Sequence, residues 1–167
     1  MKTWFRLAVA TMLVAVAPIH LGAQQIAPHS DKPVLFVCEH GTVRSLLAKV
    51  LFEQYAAEVG LDMKAVSRGT RADSIVPPWM LQGLAADHVA IGSWRPQTLL
   101  PDDLTNASFV VSFDVPMAAT AGARVPQAHW DSLPSVSRDY ATGRDAIKVR
   151  VHQLVDSLKR ASNVGRP

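Results

Sequence analysis

Apolar and polar positions fall into blocks along the chain, and the blocks show two periods. Residues 34–37 read Val-Leu-Phe-Val without interruption, the pattern of a strand buried on both faces of a sheet. Over 45–59, Leu47, Leu51 and Tyr55 recur four apart with Val50 beside them, and Gly60 follows. That spacing predicts a helix closed by glycine just past its end. Residues 63–67 predict a second strand, ending at Arg68-Gly69-Thr70. Pro77-Pro78 then opens a helical stretch carrying Trp79, Met80, Leu81 and Leu84, proline being suited to a first turn. Phe109-Val110-Val111 predicts another buried strand, and Ala128-His129-Trp130 the end of a fourth. The clearest helix is the last, where Ile147, Val151, Leu154 and Leu158 line one helical face. Strands alternating with helices predict an α/β fold with a parallel sheet and helices on both faces.

The first residues follow a different rule. Lys2 and Arg6 precede an apolar run over 7–17 broken only by Thr11, and Pro18, Gly22 and Ala23 come after it. A charged start, a short apolar region and small residues at a cleavage point predict a secretory signal peptide over 1–23. The run is about half of the roughly 20 residues a spanning helix needs, which weighs against an uncleaved anchor. Cleavage after Ala23 leaves about 144 residues, an ordinary size for one domain. Residues 24–32 are mostly polar with Pro28 and have no period, so a flexible arm is expected before a domain over 33–162 and a tail at 163–167. The mature protein is expected to be periplasmic or secreted, without stable membrane association.

Composition narrows this further. With 167 residues, 49% of them hydrophobic and 19% charged, the chain is too apolar for disorder and too short for two ordinary domains. The net charge of +3 includes Lys2 and Arg6; without them 15 basic residues face 14 acidic ones, which leaves no footprint for nucleic acid. One cysteine excludes a disulfide framework and any multi-cysteine zinc site. The six histidines form no close ligand pattern, so no metal site is expected.

That cysteine stands where a ligand would bind. In an open parallel sheet, ligands sit beyond the carboxyl ends of the strands. Cys38 ends the first predicted strand, and Arg44-Ser45 opens the first helix. The amides of Glu39, His40, Gly41, Thr42, Val43 and Arg44 can curl into a nest at the positive end of that helix, a cup for a tetrahedral oxyanion. Arg44 adds a planar fork for two of the anion's oxygens. The same field favours a thiolate at Cys38 beneath the anion, to which Ser45 can donate its hydroxyl. Gly41 suits a tight loop with positive φ. The rival reading, a buried structural cysteine beside a surface arginine, accounts less well for a thiol at this edge. His40 can orient a substrate or face solvent, and solvent is the commoner fate of a histidine. Glu39 puts a negative charge beside an anion site, where it can either raise the Cys38 pKa or disfavour highly charged substrates. Trp79, Trp94 and Trp130 are read as core rather than as cleft walls.

The run VLFVCEHGTVRS over 34–45 resembles the phosphate loop of the low-molecular-weight protein tyrosine phosphatase superfamily, which includes the thioredoxin-coupled arsenate reductases. The similarity continues through the helix at 46–55, Ser67-Arg68-Gly69-Thr70, the strand at 109–112 and His129-Trp130. It implies a flavodoxin-like three-layer sandwich with a four-stranded parallel sheet and helices on both faces. It also implies Cys38 as nucleophile, Arg44 as anion clamp, Ser45 as thiolate stabiliser, and no metal or organic cofactor. Three departures stand out. Gly41 replaces the usual Asn, whose side chain braces the loop. The family's Asp-Pro general acid is missing from 129–135, where Asp131 is the nearest candidate and Asp139 lies behind it. No further cysteine exists, so an internal disulfide relay is excluded.

The leading expectation is therefore an exported phosphatase that hydrolyses phosphotyrosine in proteins, or small phosphomonoesters, through a phosphocysteine. Two alternatives stay open. One is an arsenate reductase using an external thiol, which an oxidising compartment disfavours. The other is a non-catalytic oxyanion-binding module that keeps the cup without the acid. Oligomeric state is left open.

Overall fold

The computed structural model describes residues 31–164; the expected signal peptide and nearly all of the arm lie outside the described residues. In chain order the elements are β1 (Val34–Cys38), α1 (Arg44–Glu58), β2 (Ala65–Gly69), α2 (Pro78–Ala86), α3 (Pro101–Thr105), β3 (Phe109–Ser112), a 3₁₀ turn at Met117–Thr120, β4 (Gln127–His129) and α4 (Tyr140–Val164). The strands make one parallel sheet in the order β2-β1-β3-β4, between helical layers. This is the expected α/β sandwich with four parallel strands.

β1 is central and buried along its length, and its alternation divides the core. Val34, Phe36 and Cys38 face the larger half, where Leu47 of α1, Met80 of α2 and Val151 of α4 also lie. Leu35 and Val37 face the smaller half with Leu104 of α3, Ala107 and Val110. Phe36 anchors the larger half, its ring centroid 5.9 Å from Phe52, 6.1 Å from Trp130 and 6.5 Å from Phe113.

Several boundaries differ from the sequence pattern for local reasons. β2 begins at Ala65 and not at 63, because the Met63 amide turns back to the Leu61 carbonyl at 2.9 Å. α3 has five residues and one buried side chain, Leu104, so no period could reveal it. α4 extends on both sides of its apolar stripe and passes the expected domain end at 162. Its start is fixed by Asp139, which accepts from the Thr142 amide at 3.0 Å and the Thr142 hydroxyl at 2.7 Å. Tyr140 ties α4 to α2: its hydroxyl donates to Asp87 at 2.8 Å, and its ring fills the space beside Gly83, where a Cβ would lie 2.3 Å from it. Burial, and then the Asp87 carboxylate, push the Tyr140 phenol above its ordinary range. Among the described residues no helix is long and apolar enough to cross a membrane.

Two outcomes follow from this packing. Phe36→Ala, which empties the junction of three aromatic rings, should lower stability by about 3–5 kcal/mol, read from the denaturant midpoint at unchanged slope. The Thr142 hydroxyl, then its amide, hold the Asp139 carboxyl below the ordinary carboxylate range. The cap is therefore fully effective above the unfolded-state value and is lost as pH falls through the lowered native one. Thermal melts should show Asp139→Ala less stable than wild type at neutral pH, with the gap closing as pH falls below the ordinary carboxylate range.

Candidate active site

β1 lies between β2 and β3, so the connections leaving β1 and β3 diverge at their carboxyl ends and open a crevice. A cleft of about 370 Å³ occupies that place. Every strand contributes to its lining: residues 38–40 and 42–44 after β1, Asp73 and Pro77 after β2, Phe113 and Asp114 after β3, and residues 135–137 after β4.

Cys38 closes β1, is only 7% exposed and lines the cleft. Its Sγ lies 3.0 Å from Ser45 Oγ and accepts from the Gly41 amide at 3.2 Å. Both contacts can donate to the sulfur. Behind Ser45, Ser67 Oγ stands 2.9 Å from Ser45 Oγ and 3.1 Å from the Gly41 carbonyl. A hydroxyl has one proton, so this buried chain has two directions. With a thiol, the donors run from Cys38 through Ser45 and Ser67 to the Gly41 carbonyl. With a thiolate, Ser67 donates to Ser45 and Ser45 to the sulfur.

The loop is braced without the missing asparagine. Gly41 has φ +71°, and a Cβ there would lie 2.9 Å from the Gly69 nitrogen. A Cβ on Gly69 would come within 2.8 Å of the Gly41 nitrogen, so neither position has room for a side chain as the loop stands. The segment after β2 supplies the bracing. The amides of Thr70, Arg71 and Asp73 donate to the carbonyls of Cys38, Glu39 and His40 at 3.0, 2.8 and 3.0 Å. Side chains repeat the register: Arg71 pairs with Glu39, His40 Nδ1 lies 3.1 Å from Asp73 Oδ1, and the Thr42 hydroxyl donates to Asp73 Oδ2 at 3.0 Å. Glu39 is thus paired rather than facing the anion site alone. No backbone carbonyl among the described residues accepts from the amides of Glu39, His40, Thr42 or Val43, which leaves those donors for an anion.

Arg44 lines the same cleft and donates to Asp114 Oδ2. The other Asp114 oxygen accepts from the Ser132 amide at 3.1 Å, while the Asp114 amide donates to Asp131 Oδ1 at 2.9 Å. Asp114 and Ser132 both have positive φ, 45° and 60°, where this reciprocal clasp closes. Asp131, the expected acid, stands directly behind the cleft residue Asp114, its Oδ1 held by the Asp114 amide. Asp139 is engaged in capping α4. The segment after β4 that does reach the cleft, Ser135, Val136 and Ser137, has no carboxylate. Gly143 of α4 seats it closely, since a Cβ there would lie 2.7 Å from Val136 Cα. Trp130 is buried against Phe36 and Phe113 as expected, Trp94 is half-buried against the core, and Trp79, expected in the core, is instead exposed on the short helix α2.

The structure brings Cys38, Arg44, Ser45 and loop residues 39–43 together, with Asp131 one hydrogen bond behind Asp114. It adds Ser67, Asp73 and Asp114. Ser67 had a signal, being a polar residue at an inward position of a buried strand. Asp73 and Asp114 had none, since their approach depends on strand order. Among the described residues no group of three His, Cys, Asp or Glu side chains is arranged to hold a metal ion.

Comparison with known proteins follows the same lines. The sequence profile of the low molecular weight phosphotyrosine protein phosphatase family matches residues 33–164. A thioredoxin-dependent arsenate reductase from Corynebacterium glutamicum is 26% identical with a TM-score of 0.63, over 79% of this chain and 64% of that one. The match thus spans less than two thirds of that protein's length. An arsenate reductase from Archaeoglobus fulgidus is 26% identical with a TM-score of 0.55, over 74% of this chain and 98% of its own. A low molecular weight protein tyrosine phosphatase from Bacillus subtilis is 24% identical with a TM-score of 0.64, over 77% and 97%; at that identity it shows the fold. No curated protein sequence matches. The profile covers nearly the whole described chain and takes in the sulfur, the loop and the arginine, and on that ground the chain belongs to the low molecular weight phosphotyrosine protein phosphatase family.

Proposed function

We propose that this protein is an exported, cysteine-dependent phosphatase acting on phosphotyrosine in proteins, or on small phosphomonoesters, through a phosphocysteine. The observation that supports the chemistry is Cys38 Sγ, held by Ser45 Oγ at 3.0 Å and the Gly41 amide at 3.2 Å, in a cleft shared with Arg44. Export rests on the charged-then-apolar pattern of 1–23.

The chain of events follows from the geometry. Asp114 holds the Arg44 guanidinium in the cleft; an arriving phosphoryl group exchanges with that carboxylate and takes two donors of the guanidinium fork. The loop amides hold the remaining oxygens, where charge accumulates in the transition state. Cys38 sulfur attacks phosphorus, the ester bond breaks, and the leaving oxygen takes a proton. Water then attacks phosphorus, and the sulfur leaves as thiolate.

A second reading, an arsenate reductase that uses an external thiol, is favoured by one observation: two of the similar solved structures, each 26% identical, are arsenate reductases. The lone cysteine would then require its partner thiol from outside. Thiol-dependent reduction of arsenate separates this reading from the first. Turnover of an aryl phosphate separates the first from a module that only binds oxyanions.

Cys38→Ser should abolish turnover of nitrophenyl phosphate while inorganic phosphate still binds, measured by steady-state kinetics and calorimetry; unchanged turnover removes the assignment. Asp131→Ala, which deprives the Asp114 amide of its acceptor, should lower kcat/KM by about tenfold on phosphotyrosine and nitrophenyl phosphate alike. A loss confined to phosphotyrosine would restore Asp131 as the acid.

A further inference from the structure

The cleft contains four ionisable side chains besides Cys38 and Arg44: Glu39, His40, Asp73 and Asp114. The carboxylates already have donors. Asp114 takes Arg44 and the Ser132 amide, Glu39 takes Arg71, and Asp73 takes the Thr42 hydroxyl. His40 differs. Its Nδ1 lies 3.1 Å from Asp73 Oδ1, and the His40 carbonyl accepts from the Asp73 amide at 3.0 Å, so one residue holds both its ring and its backbone. At its other nitrogen, Nε2, Glu39 Oε2 stands 3.6 Å away, too far for a hydrogen bond. With Nδ1–H on Asp73, the ring's tautomer is set and Nε2 is the nitrogen left for a substrate. The charged groups around it are Asp73 and Arg71 from the segment after β2, its neighbour Glu39, and the Arg44–Asp114 pair in the same cleft.

The geometry points to His40, oriented by Asp73, as the acid and base of the phosphatase reaction, and it rests on that reading of the site. Imidazole can both give and take a proton at one ring nitrogen, and a carboxylate on its far nitrogen aligns it. In the first step the S–P bond forms, the P–O bond breaks, and the proton on Nε2 passes to the leaving oxygen. Neutral His40 keeps Nδ1–H on Asp73. In the second step Nε2 takes a proton from the attacking water as the O–P bond forms. The S–P electrons return to Cys38, inorganic phosphate departs, and His40 is again an imidazolium. Asp73 acts through His40 and is a positioning residue.

The test compares phosphotyrosine with dinitrophenyl phosphate, whose leaving group needs no proton, across pH, for wild type, His40→Gln and Asp73→Asn. His40→Gln should lose about 10²–10³ in kcat/KM on phosphotyrosine, about tenfold or more beyond its loss on the dinitrophenyl ester, and should lose the alkaline limb of the wild-type profile. Asp73→Asn should show the same selectivity in weaker form, which a purely structural brace would not produce. Equal losses on both esters, or no loss, overturn the role of His40 while wild-type turnover leaves the phosphatase standing. No wild-type turnover of either ester removes both.

Discussion

A sulfur anion at the end of a buried strand must find hydrogen bonds to replace the water it gives up. Much of the local architecture around Cys38 answers to that need. Ser45 stands at the start of α1, with its hydroxyl on the sulfur. Gly41 bends the loop so that its amide reaches the same atom. Ser67 steadies both from β2, and Gly69 leaves the space through which the loop passes. Gly41 and Gly69 are glycine because each occupies the room a Cβ on the other would need. A substitution at any of them changes how the sulfur is solvated before it changes anything a substrate would touch.

The second constraint is charge. Two arginines near the cleft are paired with carboxylates, Arg44 with Asp114 and Arg71 with Glu39. The first pair holds a guanidinium in place until an oxyanion displaces the carboxylate. The second removes the repulsion that Glu39 would otherwise offer an anion. The segment from Thr70 to Asp73 replaces, through backbone and side chains, the bracing that an asparagine would bring to the loop. One departure from the family pattern thus has a structural counterpart on the neighbouring strand.

How much of this could be read in the sequence depends on how local each cause is. The unbroken apolar run of β1 and the long stripe of α4 stood out because burial on both faces, or on one helical face, leaves a period. Cys38, Arg44 and Ser45 could be placed because they lie on one continuous strand-loop-helix. β4 leaves almost no pattern, being three residues long and largely exposed at the sheet edge. The contact that Asp131 makes was hidden for the same reason. It follows β4, and its carboxylate turns to the Asp114 amide at 2.9 Å, a contact between two separate connections that no local pattern records. The chain after β4 returns to the cleft only at Ser135, Val136 and Ser137. Asp73 and Asp114 converge on the loop because β2 and β3 flank β1, an order that no short stretch of sequence records.

The central claim is that Cys38 itself carries the phosphoryl group. Rapid acid quenching of the wild-type protein during turnover of an aryl phosphate, followed by mass spectrometry of its peptides, tests this directly. A phosphoryl adduct on the peptide containing Cys38, formed and lost at rates compatible with turnover, is the predicted result. Turnover with no adduct, or with the phosphoryl group on another side chain, would contradict it.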